Sequence, residues 1–109
     1  MKKILTLSVA LITVTVLSAR AEEAKALFDK HCAKCHGTDG KGDTKMGKKL
    51  GAKDYTDPKV QAALTDDAAF KAIKDGFKTE EGKKVMQGVE GLSDGDIKGL
   101  VAYLRTFKK

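Results

Sequence analysis

The sequence has few of the residues that cross-link, kink or fill a small protein. Its 109 residues include two cysteines, two histidines, one proline, no tryptophan and six aromatic residues in all. The hydrophobic share of 41% excludes a disordered or fibrous chain, and the length leaves room for only one compact domain. Six aromatic side chains are few for the core of such a domain, so we expect something besides the polypeptide to supply part of its apolar bulk.

The chain also lacks a hydrophobic run long enough to cross a membrane as a helix. Its longest run, Ile4 to Leu17, has 14 residues, whereas a spanning helix needs about 20. Two lysines precede this run and the small-x-small sequence ARA follows it, which is the pattern of a secretory signal peptide. We therefore predict a signal peptide over residues 1–21, cleaved after Ala21, and one domain over residues 22–109. A signal left uncleaved as a membrane anchor is the alternative.

Export changes both the net charge and the expected state of the cysteines. Removal of residues 1–21 takes away three of the 21 basic residues and none of the 15 acidic ones, so the formal net charge falls from +6 to +3. In an oxidising compartment, thiols are usually paired, bound to a metal or otherwise used. Export and the absence of aromatic residues interleaved with the basic ones both argue against nucleic-acid binding.

The periodicity after the signal peptide is helical. A stripe at i, i+3, i+4, i+7, i+8 and i+11 predicts a first helix with one face formed by Ala24, Leu27, Phe28, His31, Cys32 and Cys35. Residues 37–51 contain five glycines, and we expect them to form a loop without regular structure. No segment shows sustained period-two alternation, so no sheet is predicted and the fold class is all-α.

Capping residues predict two helices in the middle of the chain. Asp57 and Pro58 suit the N-cap and the first position of a short helix that runs to Leu64. Thr65 suits the N-cap of the next helix, which is expected to end at Gly76.

The last helix has the best-defined start. Ser93 and Asp96 resemble a capping box with aspartate in place of glutamate. Gly99 lies off the apolar stripe and is expected only to weaken the helix, by about 1 kcal/mol relative to alanine. The buried face is predicted to consist of Ile97, Leu100, Val101 and Leu104.

Both cysteines and one of the histidines stand together in the pentapeptide CAKCH, residues 32–36. Cys-x-x-Cys-His is the attachment signature of haem c, because two thiols at this spacing can add to the two vinyl groups of one porphyrin. The next residue can then bring an imidazole to the iron. Cys32 and Cys35 are therefore predicted to form thioethers, and His36 is predicted to be the proximal iron ligand.

Two other chemistries use the same residue types. A thioredoxin-like dithiol expects a strand and a helix in the context of a sheet, and no strand pattern is visible. A structural zinc site needs four ligands, and beyond the three in CAKCH only His31 offers another nitrogen, from an unsuitable position. Covalent haem attachment is favoured over both.

The chain after the signal peptide resembles the small monohaem class I c-type cytochromes of bacterial periplasms. The resemblance rests on CAKCH, DGKG, AIKDG, a methionine shortly before the last helix, and LVAYLR at residues 100–105. It implies about four helices around one covalently attached haem c with its iron, the first and last helices crossing at nearly right angles. At this crossing the resemblance places Ala24 and Phe28 against Leu100 and Tyr103.

The sixth iron ligand must reach the haem face opposite His36. His31 is predicted on the same helix and cannot do so, which leaves Met46 and Met86 once the signal peptide is removed. Met86 lies 50 residues beyond His36 in a segment expected to be irregular, and the chain between them is long enough to wrap around a porphyrin. The resemblance also implies a ligand there, so Met86 is predicted to bind iron and Met46 to pack against the haem or the loop.

Two features depart from the pattern of these cytochromes. Their ligand methionine is usually followed by proline, whereas Gln87 and Gly88 follow Met86. A proline carbonyl often accepts the ring N–H of the proximal histidine, but the single proline, Pro58, is far from His36 in the sequence. The sequence therefore does not identify this acceptor.

Two axial ligands leave no open position on the iron, so the resemblance implies a one-electron carrier rather than an enzyme. Its partners would be electron-donor and electron-acceptor proteins, such as a membrane terminal oxidase, and we expect a periplasmic monomer. A haem-based sensor or ligand-binding module with a labile sixth ligand is the alternative, motivated by Gln87 and Gly88. Lysines that flank the predicted haem-binding segments are candidates to steer acidic partners: Lys30, Lys34, Lys41, Lys45, Lys48, Lys49, Lys53, Lys83 and Lys84.

Overall fold

The computed structural model describes residues 21–109, so the predicted signal peptide lies outside the described residues, apart from Ala21. Helix α1 covers residues 21–31, and helix α2 (Ala33–His36) follows after a turn at Cys32. The Cys32 N–H donates to the Phe28 carbonyl at 2.8 Å and the His36 N–H donates to the Cys32 carbonyl at 3.0 Å. Helical hydrogen bonding thus continues through the turn and holds the CAKCH segment against the end of α1.

Helix α3 (Lys45–Leu50) lies inside the segment that was predicted to be an irregular loop, so that prediction is wrong. The Thr44 side chain caps its start by accepting from the Gly47 N–H at 2.8 Å, and Gly51 ends it in the left-handed conformation at φ 74°. The glycines in this segment start and stop a short helix and let it pack closely. High glycine content alone therefore misses α3.

Helices α4 (Pro58–Ala63) and α5 (Asp66–Asp75) begin as predicted. The Asp57 carboxylate accepts from the Lys59 N–H at 2.9 Å, and the Thr65 hydroxyl accepts from the Ala68 N–H at 3.1 Å. Gly76 ends α5 with a φ of 92°. These boundaries depend on hydrogen bonds between residues two or three apart, which is why the sequence predicts them.

A two-stranded antiparallel hairpin follows α5 and was not predicted. Strand β1 (Gly76–Lys78) pairs with strand β2 (Lys84–Gln87), with Gly76 opposite Gln87 and Phe77 opposite Met86. Strands of three and four residues are too short to show period-two alternation. The expectation that Met86 lies in an irregular segment is wrong, while the all-α fold class is confirmed because residues 21–109 are mostly helical.

Helix α6 (Asp94–Arg105) starts with the predicted capping box. The Asp96 N–H donates to the Ser93 hydroxyl at 3.0 Å, and the Ser93 N–H donates to the Asp96 carboxylate at 3.1 Å. Its buried face is as predicted and consists of Ile97, Leu100, Val101 and Leu104. No helix within residues 21–109 is long and apolar enough to cross a membrane.

The core joins the first helix to the last, as the resemblance implied. Phe28 is completely buried, and its ring centroid lies 5.3 Å from that of Tyr103 and 5.2 Å from that of Phe107. A Cβ atom at Gly99 would lie 3.8 Å from the Ala24 Cβ, so Gly99 faces α1 at an ordinary contact distance. The described residues form six helices rather than about four. The two additional helices are short: α2 lies within CAKCH, and α3 packs beside it.

Candidate haem site

The CAKCH segment is fastened to α3 through its backbone. The Thr44 hydroxyl lies 2.8 Å from the carbonyl oxygens of both Lys34 and Cys35 and donates its proton to them. The same hydroxyl oxygen caps α3. A Cβ atom at Gly47 would overlap the Cys35 carbonyl, so only glycine lets α3 approach this closely. Helix α3 and its cap therefore hold the CAKCH segment in one position.

The imidazole of His36 has the acceptor that the sequence did not identify. Its Nδ1 lies 3.3 Å from the main-chain carbonyl oxygen of Lys53, 17 residues further along the chain. A carbonyl can only accept, so Nδ1 carries the proton and Nε2 keeps a lone pair for a metal. Orientation of a metal-binding histidine by a hydrogen bond to its other nitrogen is the usual arrangement in such sites.

The electrostatics of His36 favour the neutral ring that a metal needs. Its pKa lies below the ordinary value, chiefly because burial disfavours the charged imidazolium. The hydrogen bond to the Lys53 carbonyl raises the pKa, and the positive charge of the Lys53 side chain lowers it. At neutral pH the ring is therefore uncharged and can donate its Nε2 lone pair.

Tyr55 is a site residue that the sequence reasoning missed. Its ring stacks on that of His36, with centroids 4.8 Å apart and planes 30° apart, and it is only 8% exposed. Its backbone N–H donates to the Gly40 carbonyl at 2.8 Å. Burial raises the pKa of Tyr55 to about 12, so the phenol stays neutral. The local sequence DYTDP does not indicate that this tyrosine belongs to the site, because its stacking partner, His36, lies 19 residues earlier.

A buried amide holds the main chain at Tyr55. The Gln61 side-chain nitrogen donates to the Tyr55 carbonyl at 2.7 Å and to the Leu104 carbonyl at 2.8 Å. The Gln61 side-chain oxygen accepts from Arg105 at 2.9 Å. Gln61 is 5% exposed and its polar atoms are satisfied, so it links the loop beside His36 to the end of α6 without the cost of an unpaired buried group.

Arg105 extends this link to α4 and α5. Its guanidinium donates to the main-chain carbonyls of Gln61 at 2.8 Å and Leu64 at 2.6 Å. It also donates to the Asp66 carboxylate at 2.8 Å. Because Asp66 is largely exposed, the ion pair contributes little by itself, and the carbonyl contacts carry most of the positioning.

The two cysteine thiols are free and half-buried. Burial, with a smaller contribution from Cys35, raises the pKa of Cys32 to about 11. A thioredoxin-like dithiol works through a thiol of lowered pKa, so the Cys32 environment opposes that alternative. Within residues 21–109 no group of three or more histidine, cysteine, aspartate or glutamate side chains is placed to hold a metal ion.

Met86 and Met46 are both half-buried but belong to different parts of the fold. Met86 lies on β2, opposite Phe77, and packs against the core formed by α1, α5 and α6, as does Cys32. Met46 lies on α3, which is fastened to the segment that carries His36. The structure therefore brings Met86 and the start of CAKCH onto one apolar core from opposite parts of the sequence.

These residues fit a covalently bound haem. They offer two free thiols, an imidazole with an available Nε2 and a half-buried thioether, next to half-buried apolar side chains. The family model for cytochrome c matches residues 21–108. The chain belongs to the cytochrome c family. Family membership means that this cytochrome carries covalently bound haem c with its iron and takes part in haem-based electron transfer.

Solved structures agree with this assignment. The KustC0563 c-type cytochrome is 36% identical with a TM-score of 0.67, over 79% of this chain and 98% of that chain. A tyrosine-to-phenylalanine mutant of Kustc0563 is 36% identical with a TM-score of 0.64, over 79% of this chain and 99% of that chain. No curated protein matches the sequence. The predicted cytochrome fold and cofactor are confirmed, whereas the individual haem-binding residues stay predictions.

Proposed function

We propose that this cytochrome is a periplasmic one-electron carrier between respiratory redox proteins and not an enzyme. The observation that supports it best is the placement of Met86, half-buried on a paired strand and packed on the same core as Cys32. In this proposal Cys32 and Cys35 would hold the haem through thioethers, and His36 and Met86 would be the iron ligands. Bound haem supplies the one-electron change between ferric and ferrous iron.

The residues around the site influence the reduction potential of the haem iron. The Lys53 carbonyl and the Tyr55 ring fix the orientation of the His36 imidazole, and the carbonyl hydrogen bond increases its basicity. A thioether from Met86 would favour ferrous iron and raise the reduction potential. With His36 and Met86 both holding the iron, no position on it would be left for an external molecule.

Replacement of each methionine tests the ligand. We expect Met86→Ala to abolish the methionine-to-iron absorbance band in the far red, to let the ferrous protein bind CO, and to lower the reduction potential. Met46→Ala is the matched control and should leave all three properties as in the wild type. Wild-type protein that is five-coordinate or binds CO in the ferrous state would instead support the sensor or ligand-binding alternative.

We further propose that exposed lysines steer acidic partner proteins to the haem edge. All nine lysines named above are exposed, and three of them lie on α3 beside CAKCH. Charge steering raises association rates by about 10- to 1,000-fold and weakens with salt, since the Debye length is about 10 Å at 0.1 M. Lys49→Glu should slow electron transfer with the partner more than Lys98→Glu on α6. Equal effects, or rates insensitive to salt, would contradict local steering.

Export is tested on the protein recovered from cells. We propose cleavage after Ala21, so the mass of the mature protein should correspond to residues 22–109 plus one haem, in the periplasmic fraction. Recovery of the full-length chain with membranes would indicate an uncleaved anchor.

A further inference from the structure

We propose that Gly88 and Gly76 are positioning residues that fasten the Met86 hairpin to the C-terminal end of α5. They would hold the methionine sulfur at the iron without the proline that usually follows the ligand in related cytochromes. This inference rests on the proposed function, in which Met86 is the sixth ligand. It concerns what keeps that ligand in place.

The first observation is a lack of space at Gly88. A Cβ atom there would lie 2.5 Å from the Lys74 carbonyl oxygen, 2.9 Å from the Asp75 carbonyl carbon and 3.0 Å from the Gly76 nitrogen. All three are backbone atoms at the end of α5, and they cannot turn aside as a side chain can. Only glycine lets the chain two residues after Met86 lie directly on the helix end.

The second observation is the complementary fit of Gly76. Its φ of 92° is in the region that favours glycine, and it ends α5 by turning the chain into β1. A Cβ atom at Gly76 would lie 2.7 Å from the Met86 carbonyl oxygen and 3.0 Å from the Gly88 nitrogen. Two glycines therefore face each other, and backbone packs on backbone from the Met86 carbonyl to Gly88.

Hydrogen bonds hold the same junction. The Val89 N–H donates to the Ile73 carbonyl at 2.8 Å, and Ile73 is a buried residue of α5. On the other side, Met86 is the strand partner of Phe77. Met86 is thus bracketed by the ladder of the hairpin and by a hydrogen bond to the core helix three residues later. A side chain held in this way reaches its ligand position with little reorganisation.

The test is Gly88→Ala in the holoprotein, with Gly95→Ala as the matched control. A Cβ atom at Gly95 would meet nothing closer than the Ser93 hydroxyl oxygen at 3.7 Å, and neither glycine has a left-handed φ. We expect Gly88→Ala to keep its covalent haem but to lose most of the methionine-to-iron band and to gain CO affinity. The gain should be about 10- to 100-fold, the range over which residues that support metal ligands change metal affinity or activity when mutated. Gly95→Ala should match the wild type.

Two further measurements distinguish a displaced methionine ligand from a general loss of fold stability. Ile97→Val removes one buried methyl group from α6 and should lower stability while keeping the band. In the wild type, the Val89 amide should exchange with solvent as slowly as that of Leu100 in α6. The exchange of the Val89 amide tests whether this segment is fastened to α5, and it does so even if Gly88→Ala does not fold.

The outcomes are distinct. A Gly88→Ala protein with a wild-type band and wild-type CO behaviour, or a Val89 amide that exchanges much faster than Leu100, would overturn this inference alone. A wild-type protein without the band, unchanged by Met86→Ala, would overturn the proposed function and this inference together.

Discussion

The ring of Tyr55 lies against the imidazole of His36, while its main-chain carbonyl accepts from the buried Gln61 side chain. One residue thus connects the predicted proximal ligand to the network at the end of α6. Two residues earlier, the Lys53 carbonyl orients the same imidazole. The resemblance to c-type cytochromes implies a proline carbonyl as the acceptor for the predicted proximal histidine, and the Lys53 carbonyl can serve instead because the contact needs only a main-chain oxygen.

Tyr55 should make the stability of the protein sensitive to alkaline pH. Its pKa in the folded protein is about 12, mainly through burial, whereas tyrosine in an unfolded chain ionises near pH 10. The unfolded chain releases its proton first, so this contribution to stability is complete below about pH 10 and is lost as the pH rises through about 12. The difference corresponds to about 3 kcal/mol.

Tyr55→Phe keeps the stacked ring and removes the ionisable group. We expect it to flatten the alkaline fall in the free energy of unfolding by an amount of that order, measured by denaturant titration at several pH values. Phe107→Leu serves as the control, because it alters an aromatic ring packed on the same core without removing an ionisable group, and it should keep the alkaline slope. An unchanged slope in Tyr55→Phe would mean that another group causes the alkaline transition.

At the scale of elements, α3 and the hairpin decide where the site residues lie. Helix α3 approaches CAKCH because Gly47 leaves room for the Cys35 carbonyl, and the hairpin approaches α5 because Gly88 leaves room for the Lys74 carbonyl. Both elements were absent from the sequence-based prediction. In each case glycine looked like a loop residue, while its role is a close contact with a segment distant in the sequence.

Helix α6 offers a contrasting glycine. A Cβ atom at Gly99 would lie 3.8 Å from the Ala24 Cβ, which is an ordinary contact distance. Gly99→Ala should therefore stabilise the holoprotein by about 1 kcal/mol through helix propensity. For a domain of this size, that corresponds to a rise in Tm of about 4–8 °C. A fall in Tm would show that α1 and α6 need a closer approach than the structure has.

At the scale of the molecule, the core contains few large side chains that are fully buried. Phe28, Ile97 and Leu100 are its largest fully buried side chains among the described residues, and they join α1 to α6. A domain of this size gains little from burial alone, so we expect the covalent haem to add a large share of the apolar contact. Folding and haem attachment are therefore expected to depend on each other.

The double variant Cys32→Ala with Cys35→Ala tests this dependence. Without its thioethers, the chain should lose much of its helical circular dichroism and its cooperative thermal transition. The Met46→Ala variant with haem bound is the control for the effect of a substitution that leaves the thioethers intact. It should retain both the helical circular dichroism and the cooperative thermal transition. A double variant that keeps full helicity without haem would show that the polypeptide core suffices.

The sequence by itself determined the features that depend on neighbouring residues. The thiols and the imidazole of CAKCH stand within five residues, and the caps at Asp57, Thr65 and Ser93 bond to groups two or three residues away. Cofactor, all-α class and most helix starts could therefore be predicted, because spacing along the chain fixes their geometry.

Only the tertiary structure decided the contacts between distant segments. The Lys53 carbonyl contacts His36, 17 residues earlier, and the Tyr55 ring stacks on the same imidazole. Met86 is held by a strand and a helix end, and the sequence periodicity does not predict these contacts. A contact made by a main-chain carbonyl, or by a glycine that lacks a Cβ atom, cannot be predicted from a local sequence pattern when its partner lies far along the chain. Packing in three dimensions selects these partners, and they set how the predicted ligands are held.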